Sequence, residues 1–249
     1  MENPLEQFAI RPIFHLPVAG YDLMFTNSSL AMLIAFVVTA AIFLAGTRRA
    51  ELVPGPLQSV AESIYQFVEN MIEENIGHGG RRFFPLIFTI FMMVLLGNVL
   101  GLIPMNFTYT SHIVVTAAMA LLVFFLIIII GIAKNGFHWF GMFKPSGVPW
   151  YLLVLMVPIE IISFLSRPLS LSVRLFANML AGHVLLHVFA GFCVLLAGLF
   201  AGFGIVLSLL PLSVNVALTG LELIVAALQA YVFAVMSCIY LRDAVDVHH

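Results

Sequence analysis

The sequence predicts an all-α integral membrane protein, with about five membrane helices and one amphipathic helix on the inner face. Three observations predict it. First, 62% of the 249 residues are hydrophobic and only 9% are charged, at a mean hydropathy of +1.12. A soluble domain of this size needs no such apolar excess. Second, no charged residue occurs from Phe83 to Ala133, enough for two crossings of about 20 residues each. Third, basic residues gather in connections that can share one compartment. The net charge of -2 decides little, because charge position matters more than the total. The absence of a basic patch argues against nucleic acid. Cys193 and Cys238 lie in apolar runs, so packing is expected of them, and no metal or cofactor spacing occurs.

The whole chain, 1–249, reads as a single membrane domain. Residues 1–28 form an outer segment without a basic n-region, so no cleavable signal peptide is expected. A first span over 29–47, SLAMLIAFVVTAAIFLAG, ends in Arg48 and Arg49. Next, PGPLQSVAESIYQFVENMIEENIG carries Leu57, Val60, Ile64, Phe67 or Val68, and Met71 at helical spacing. An amphipathic inner-face helix over 54–76 follows from it. Its polar face holds Glu62, Glu69, Glu73 and Glu74, which suits water or a partner subunit and not anionic lipid. A two-span hairpin over 83–134 starts after Arg81 and Arg82, turns outside at 105–110 and ends at Lys134. Gly97 and Gly101, like Gly198 and Gly202, have the small-xxx-small spacing that serves close helix packing. With Lys144, the basic residues mark the cytoplasmic side, which puts the N-terminus outside.

From Trp150 to Leu241 the formal charges are Glu160, Arg167, Arg174 and Glu222. Hydropathy alone gives three spans here, over 150–173, 184–209 and 213–241. That count places Arg242 outside, against the charge rule. Two long tilted helices over 150–242, with a turn near Leu209–Ser213, place it inside. Pro158 and Pro168 kink the first helix without ending it.

At 100° per residue, Glu160, Arg167 and Arg174 fall on one stripe, and Asn178 joins it. His183 and His187 lie on the opposite face, toward the outer end. The second helix adds Glu222 and Gln229, again seven apart. Folded as an antiparallel hairpin, one register sets Arg174 beside Gln229, His183 beside Glu222, and Glu160 near Asp243. An ionised guanidinium in hydrocarbon costs about 2.5–3.5 kcal/mol on insertion scales, and arginine cannot shed its proton to escape. His183 and Glu222 titrate readily and can pass protons at the outer end; Glu160 can do so at the inner end. Arg174 between them cannot. Two half-paths split by a fixed charge pass protons only through a mobile carrier, so a partner bearing a carboxylate is implied. The competing roles are structural: an ion pair of Arg174 with Glu160 or Glu222, Arg167 snorkelling or touching lipid, His187 packing, and Asn178 and Gln229 bridging helices. Asn98, His112 and His138 receive no role.

The stretch SLSVRLFANMLAGH resembles subunit a of rotary F-type ATP synthases. The resemblance extends to LELIVAALQAYVFAVMSCIYL (221–241), PGPLQSVAESIYQFV and GNVLGLIP, and so covers most of the chain. It implies a stator subunit against a ring of c subunits, whose carboxylates are the mobile carriers, with b-type peripheral stalk subunits as further partners. Arg174 then matches the arginine that faces the passing carboxylate. His183 and Glu222 match the outer half-channel pair, Asn178 and Gln229 sit beside the arginine, and Glu160 matches an inner half-channel carboxylate. Arg167, His187 and Asp243 remain possible participants. The N-terminal MENPLEQFAIRPIFHLPVAGYD is similar to alphaproteobacterial forms, which implies a bacterial inner membrane, with the mitochondrial one second. Protons are favoured over sodium. No GxxxxGK[ST] loop occurs, so nucleotide chemistry would belong to other subunits and this chain would not be an enzyme by itself. The alternative is a self-contained proton-coupled secondary transporter. Such proteins often repeat their halves around a midplane site, whereas here the polar residues crowd into the last 100 residues.

Overall fold

A strand pair and six long helices follow one another along the chain. The computed structural model describes residues 9–18, 21–48, 51–103, 107–143, 150–199 and 203–245. Strands β1 (Pro12–Val18) and β2 (Tyr21–Thr26) precede α1 (Asn27–Thr47), α2 (Pro56–Ile76), α3 (Phe84–Gly101), α4 (Ile113–Asn135), α5 (Trp150–Leu199) and α6 (Phe203–Val245). Five of these helices are long and apolar enough to cross a membrane; α2 is the exception. The all-α membrane class is therefore the observed one. The antiparallel strand pair is an addition within the expected outer segment. Asn27 anchors it: its amide Nδ2 donates to the Ala9 carbonyl at 3.0 Å, and its Oδ1 accepts from the Arg11 amide.

Two compact units divide the chain. One comprises the chain up to Ala45, Met92–His112 and Leu175–Ala230; the other comprises Gly46–Phe91, Ile113–Arg174 and the chain from Tyr231. In the second unit, Gly55 precedes Pro56 at the start of α2, where a missing N–H costs nothing. Gly77, at φ +83°, ends that helix in a conformation that favours glycine. The buried seam of α2 is Ala61, Val68, Met71 and Ile72. Leu57 and Val60 are half exposed, which corrects the expected apolar stripe. Gly46 of α1 approaches so closely that a Cβ there would lie 2.9 Å from that of Ala61, and this contact sets the rotation of α2. Arg81 binds Glu69 and Glu73, each at 3.1 Å, so part of the acidic face is occupied within the chain. Trp139, Phe143, Phe124 and Phe164 form an aromatic cluster between α4 and α5.

In the first unit, the connection after α3 folds back onto that helix. Tyr109 is buried, its hydroxyl donates to the Met93 carbonyl at 2.5 Å, and burial raises its pKa. A Cβ at Gly97 would collide with the Tyr109 ring, and one at Gly101 would collide with Thr108. These glycines admit the loop, and the expected helix–helix role is corrected accordingly. Gly198 faces open space, and Gly202 lies outside the described residues. Gly97→Ala is expected to cost about 1–3 kcal/mol, the usual penalty of overpacking; a lowered thermal midpoint of the purified complex would register it.

The last two helices are each continuous. Leu209–Ser213, the expected turn, lies inside α6 together with Pro211. Instead α5 ends at Leu199 and α6 begins at Phe203. Ser208 and Ser213 donate to the carbonyls of Ile205 and Leu210. Such back-bonding fits a helix that carries a proline within an apolar run. The same holds around Pro168 of α5, where Ser166 and Ser172 donate to Ser163 and Leu169.

Candidate functional site

α5 and α6 come together over Asn178–His187 and Leu218–Gln229. Asn178 Nδ2 donates to Gln229 Oε1 at 3.0 Å. The expected register set Arg174 beside Gln229; the hydrogen bond comes from Asn178, one turn further on. Gln229 is buried, and its Nε2 has no hydrogen-bond partner among the described residues. Glu222 is only 5% exposed, and neither of its oxygens has a partner there. Its carboxylate lies against Gly182, where a Cβ would overlap Oε1. Burying a carboxylate costs several kcal/mol unless it is paired or neutral, roughly as for other buried ions, so this placement is not a packing device. Asn178, Gly182, Leu186, Leu218 and Glu222 line a cavity of about 220 Å³. That space admits several water molecules.

His183 does not bond Glu222, contrary to the expected pairing. It is buried, and its Nε2 lies 3.1 Å from Thr108 Oγ1. His187 is exposed, and its Nδ1 donates to the His183 carbonyl at 3.0 Å, a local bond within the helix. Asn98, of which no role was expected, is fully buried and donates to the Ala226 carbonyl of α6 at 3.3 Å.

Nearer the start of α5, Arg167 lies 3.5 Å from Asp243. Its guanidinium also sits over the rings of Tyr240, at 4.9 Å, and Phe164, at 5.6 Å. The expectation of snorkelling or lipid contact is corrected: Arg167 ties α5 to α6 by charge and by stacking. Asp243 is thereby engaged by Arg167 and Arg242. Glu160 is half-buried in α5, two turns before Arg167, about 10 Å along the axis.

Arg174 is exposed on α5. Among the described residues, no hydrogen bond or ion pair engages it.

Sequence reasoning missed two residues that shape this site, Gly182 and Thr108. Gly182 was accessible, because the register that brings His183 level with Glu222 brings Gly182 there too. Thr108 gave no signal: it sits in a short connection far from α5 in sequence.

The sequence profile of the family "ATP synthase A chain" matches residues 29–242. The chain is 52% identical to ATP synthase subunit a of Rhodospirillum rubrum over 248 residues, with 100% of each chain covered. It is 53% identical to the subunit a of Mesorhizobium japonicum over 247 residues, covering 99% of this chain and 98% of that one. The same identity holds over 250 residues to the subunit a of Afipia carboxidovorans, with both chains fully covered. A buried carboxylate beside a cavity, and an arginine with no ion pair among the described residues, stand on a protein with five helices able to span a membrane; with full-length likeness to these relatives, the chain belongs to the ATP synthase subunit a family of the membrane F0 sector.

Proposed function

We propose that this chain is the proton-translocating stator subunit of a rotary ATP synthase. Two offset half-channels deliver protons to and from carboxylates on an adjacent ring of c subunits. The observation that carries this reading is Arg174, exposed on a membrane helix and without an ion pair among the described residues. In hydrocarbon such a charge needs a counter-ion, and a carboxylate on a passing partner supplies one while Arg174 favours its ionised form. The outer half-channel runs by His183 and Glu222, with the cavity beside Glu222 offering room for water. Asn178 and Gln229 flank the passage, and Glu160 serves the inner half. Arg174 keeps the halves apart, because it does not release its proton. Arg167 and Asp243 lock the hairpin at the inner end and carry no proton in this scheme.

The hairpin helices are long for a single crossing. At 1.5 Å per residue, α5 measures about 75 Å against a hydrocarbon core of about 30 Å, so it lies steeply tilted. Tilt lets one helix follow the ring while it crosses part of the membrane. The chain itself binds no nucleotide and catalyses no bond change; b-type peripheral stalk subunits hold it against rotation. Charge asymmetry puts the N-terminus outside and the C-terminus in the cytoplasm of a bacterial inner membrane.

Reconstitution tests the reading. The purified chain alone in liposomes is expected to pass no protons under an imposed potential, while the complex with its ring couples them to ATP synthesis. Sustained flux through the chain alone would favour a self-contained transporter.

A further inference from the structure

The connection between α3 and α4 carries four buried hydroxyl residues in a row, Thr108, Tyr109, Thr110 and Ser111. A loop between two membrane spans would ordinarily expose such groups. Here each contact turns the loop inward. The Tyr109 hydroxyl holds the Met93 carbonyl, and Ser111 Oγ donates to the Thr108 carbonyl at 2.6 Å. Glycine at 101 leaves the space that Thr108 fills, since a Cβ there would lie 2.5 Å from Thr108 Oγ1.

Thr108 Oγ1 has one proton and two neighbours. The Gly101 carbonyl, at 3.1 Å, can only accept, so the hydroxyl donates to it. The His183 Nε2 at 3.1 Å must then donate to the hydroxyl oxygen. The same bond survives when the ring takes up a second proton, because the imidazolium also donates from Nε2. Thr108 therefore suits both charge states of the ring, and opposes the tautomer that lacks a proton on Nε2.

We infer that Thr108 is a positioning residue for proton transfer: its hydroxyl, held by Gly101, fixes the ring of His183 and its Nε2–H tautomer through a cycle of protonation. The inference rests on the proposed place of His183 in the outer half-channel. The titratable groups around His183 are His187 on its own helix, Glu222 on α6, and Tyr109 and His112 in the loop. The adjoining turns of α3 contribute none. The Thr108 hydroxyl bonds none of these other groups in the described contacts, so its removal acts on His183.

The test uses the assembled complex in liposomes, with ATP synthesis driven by acid–base transitions while the pH of each side is varied separately. Thr108→Val replaces the hydroxyl by a methyl group of similar size. Synthesis is expected to fall about tenfold, the factor that one hydrogen bond to a charged group carries. Its pH dependence is expected to move toward acid on the outer side only, because the protonated ring loses an acceptor. Thr108→Ser is expected to restore both rate and profile. Should the valine variant assemble poorly, Thr108→Ala removes the same hydroxyl without crowding Gly101. Unchanged rate and profile in the hydroxyl-less variant, with His183→Ala impaired, would overturn the positioning role alone. Equal impairment of the serine and valine variants would overturn it too. Normal synthesis in His183→Ala would instead remove the outer-path reading of His183, and the role of Thr108 with it.

Discussion

Arg174→Ala in the assembled complex is expected to reduce proton-driven ATP synthesis by about a hundredfold or more, while subunit content and folding stay intact. The magnitude follows from a unit charge about 4 Å from a carboxylate, worth on the order of 4 kcal/mol at an effective dielectric of 20. Without that charge an arriving carboxylic acid keeps its proton and the cycle stalls. Intact assembly follows from the structure, because Arg174 makes no hydrogen bond or ion pair among the described residues whose loss would expose a buried partner. Passive proton leak through the complex is expected to rise, since the barrier between the half-paths is gone. Arg174→Lys should suppress the leak better than alanine yet still lower synthesis, because a point charge lacks the planar fork of a guanidinium. Synthesis and leak measured on the same vesicles separate the two jobs. Normal synthesis by the alanine variant would sink the proposed mechanism.

The second large effect is expected at the contact between Gly182 and Glu222. Gly182→Ala places a methyl group where the Glu222 carboxylate now lies. A carboxylate at the end of a flexible chain can swing aside, so the fold is expected to survive. The cavity beside it is expected to lose its polar group, and ATP synthesis to fall about tenfold or more. Glu222→Gln removes the titrating group while keeping its shape, and should cost about a hundredfold, in the range of a lost acid–base partner. A Gly182→Ala, Glu222→Gln double variant then gives the decisive comparison. If Gly182 acts through Glu222, the double variant is no worse than Glu222→Gln alone, as expected for coupled neighbours. Additive losses would mean that Gly182 serves the helix contact instead. Either measurement leaves Arg174 untouched, so failure here would not be confused with failure at the gate.

The two arginines of α5 show how much a hydropathy reading misses. Arg167 and Arg174 are seven residues apart on one stripe, in similar apolar surroundings. In sequence they differ only in their distance from the inner end. In the fold, Arg167 is clamped by Asp243, Tyr240 and Phe164, whereas Arg174 faces outward. Seven residues of helix are about 10 Å, enough to move one guanidinium past the last acidic residue of α6. The turn was misplaced for a related reason. Leu209–Ser213 combines a proline with a serine and follows Ser208, which reads as a break in water. In an apolar helix, serine back-bonding to nearby carbonyls keeps the segment helical.

By itself, the sequence determined the membrane class, the helix order and the polar stripe, because hydrophobicity and helical periodicity are local and additive along the chain. It also determined that the polar stripe carries a permanent charge, because arginine does not neutralise itself. The tertiary structure alone decided which polar groups touch. Thr108 meets His183 across 75 residues and Asn178 meets Gln229 across 51, and the glycines at 97, 101 and 182 set how closely the segments approach. Such contacts depend on the depth at which the chain reverses and on the space left by missing side chains. Neither quantity is periodic, so no pattern along one strand of sequence encodes it.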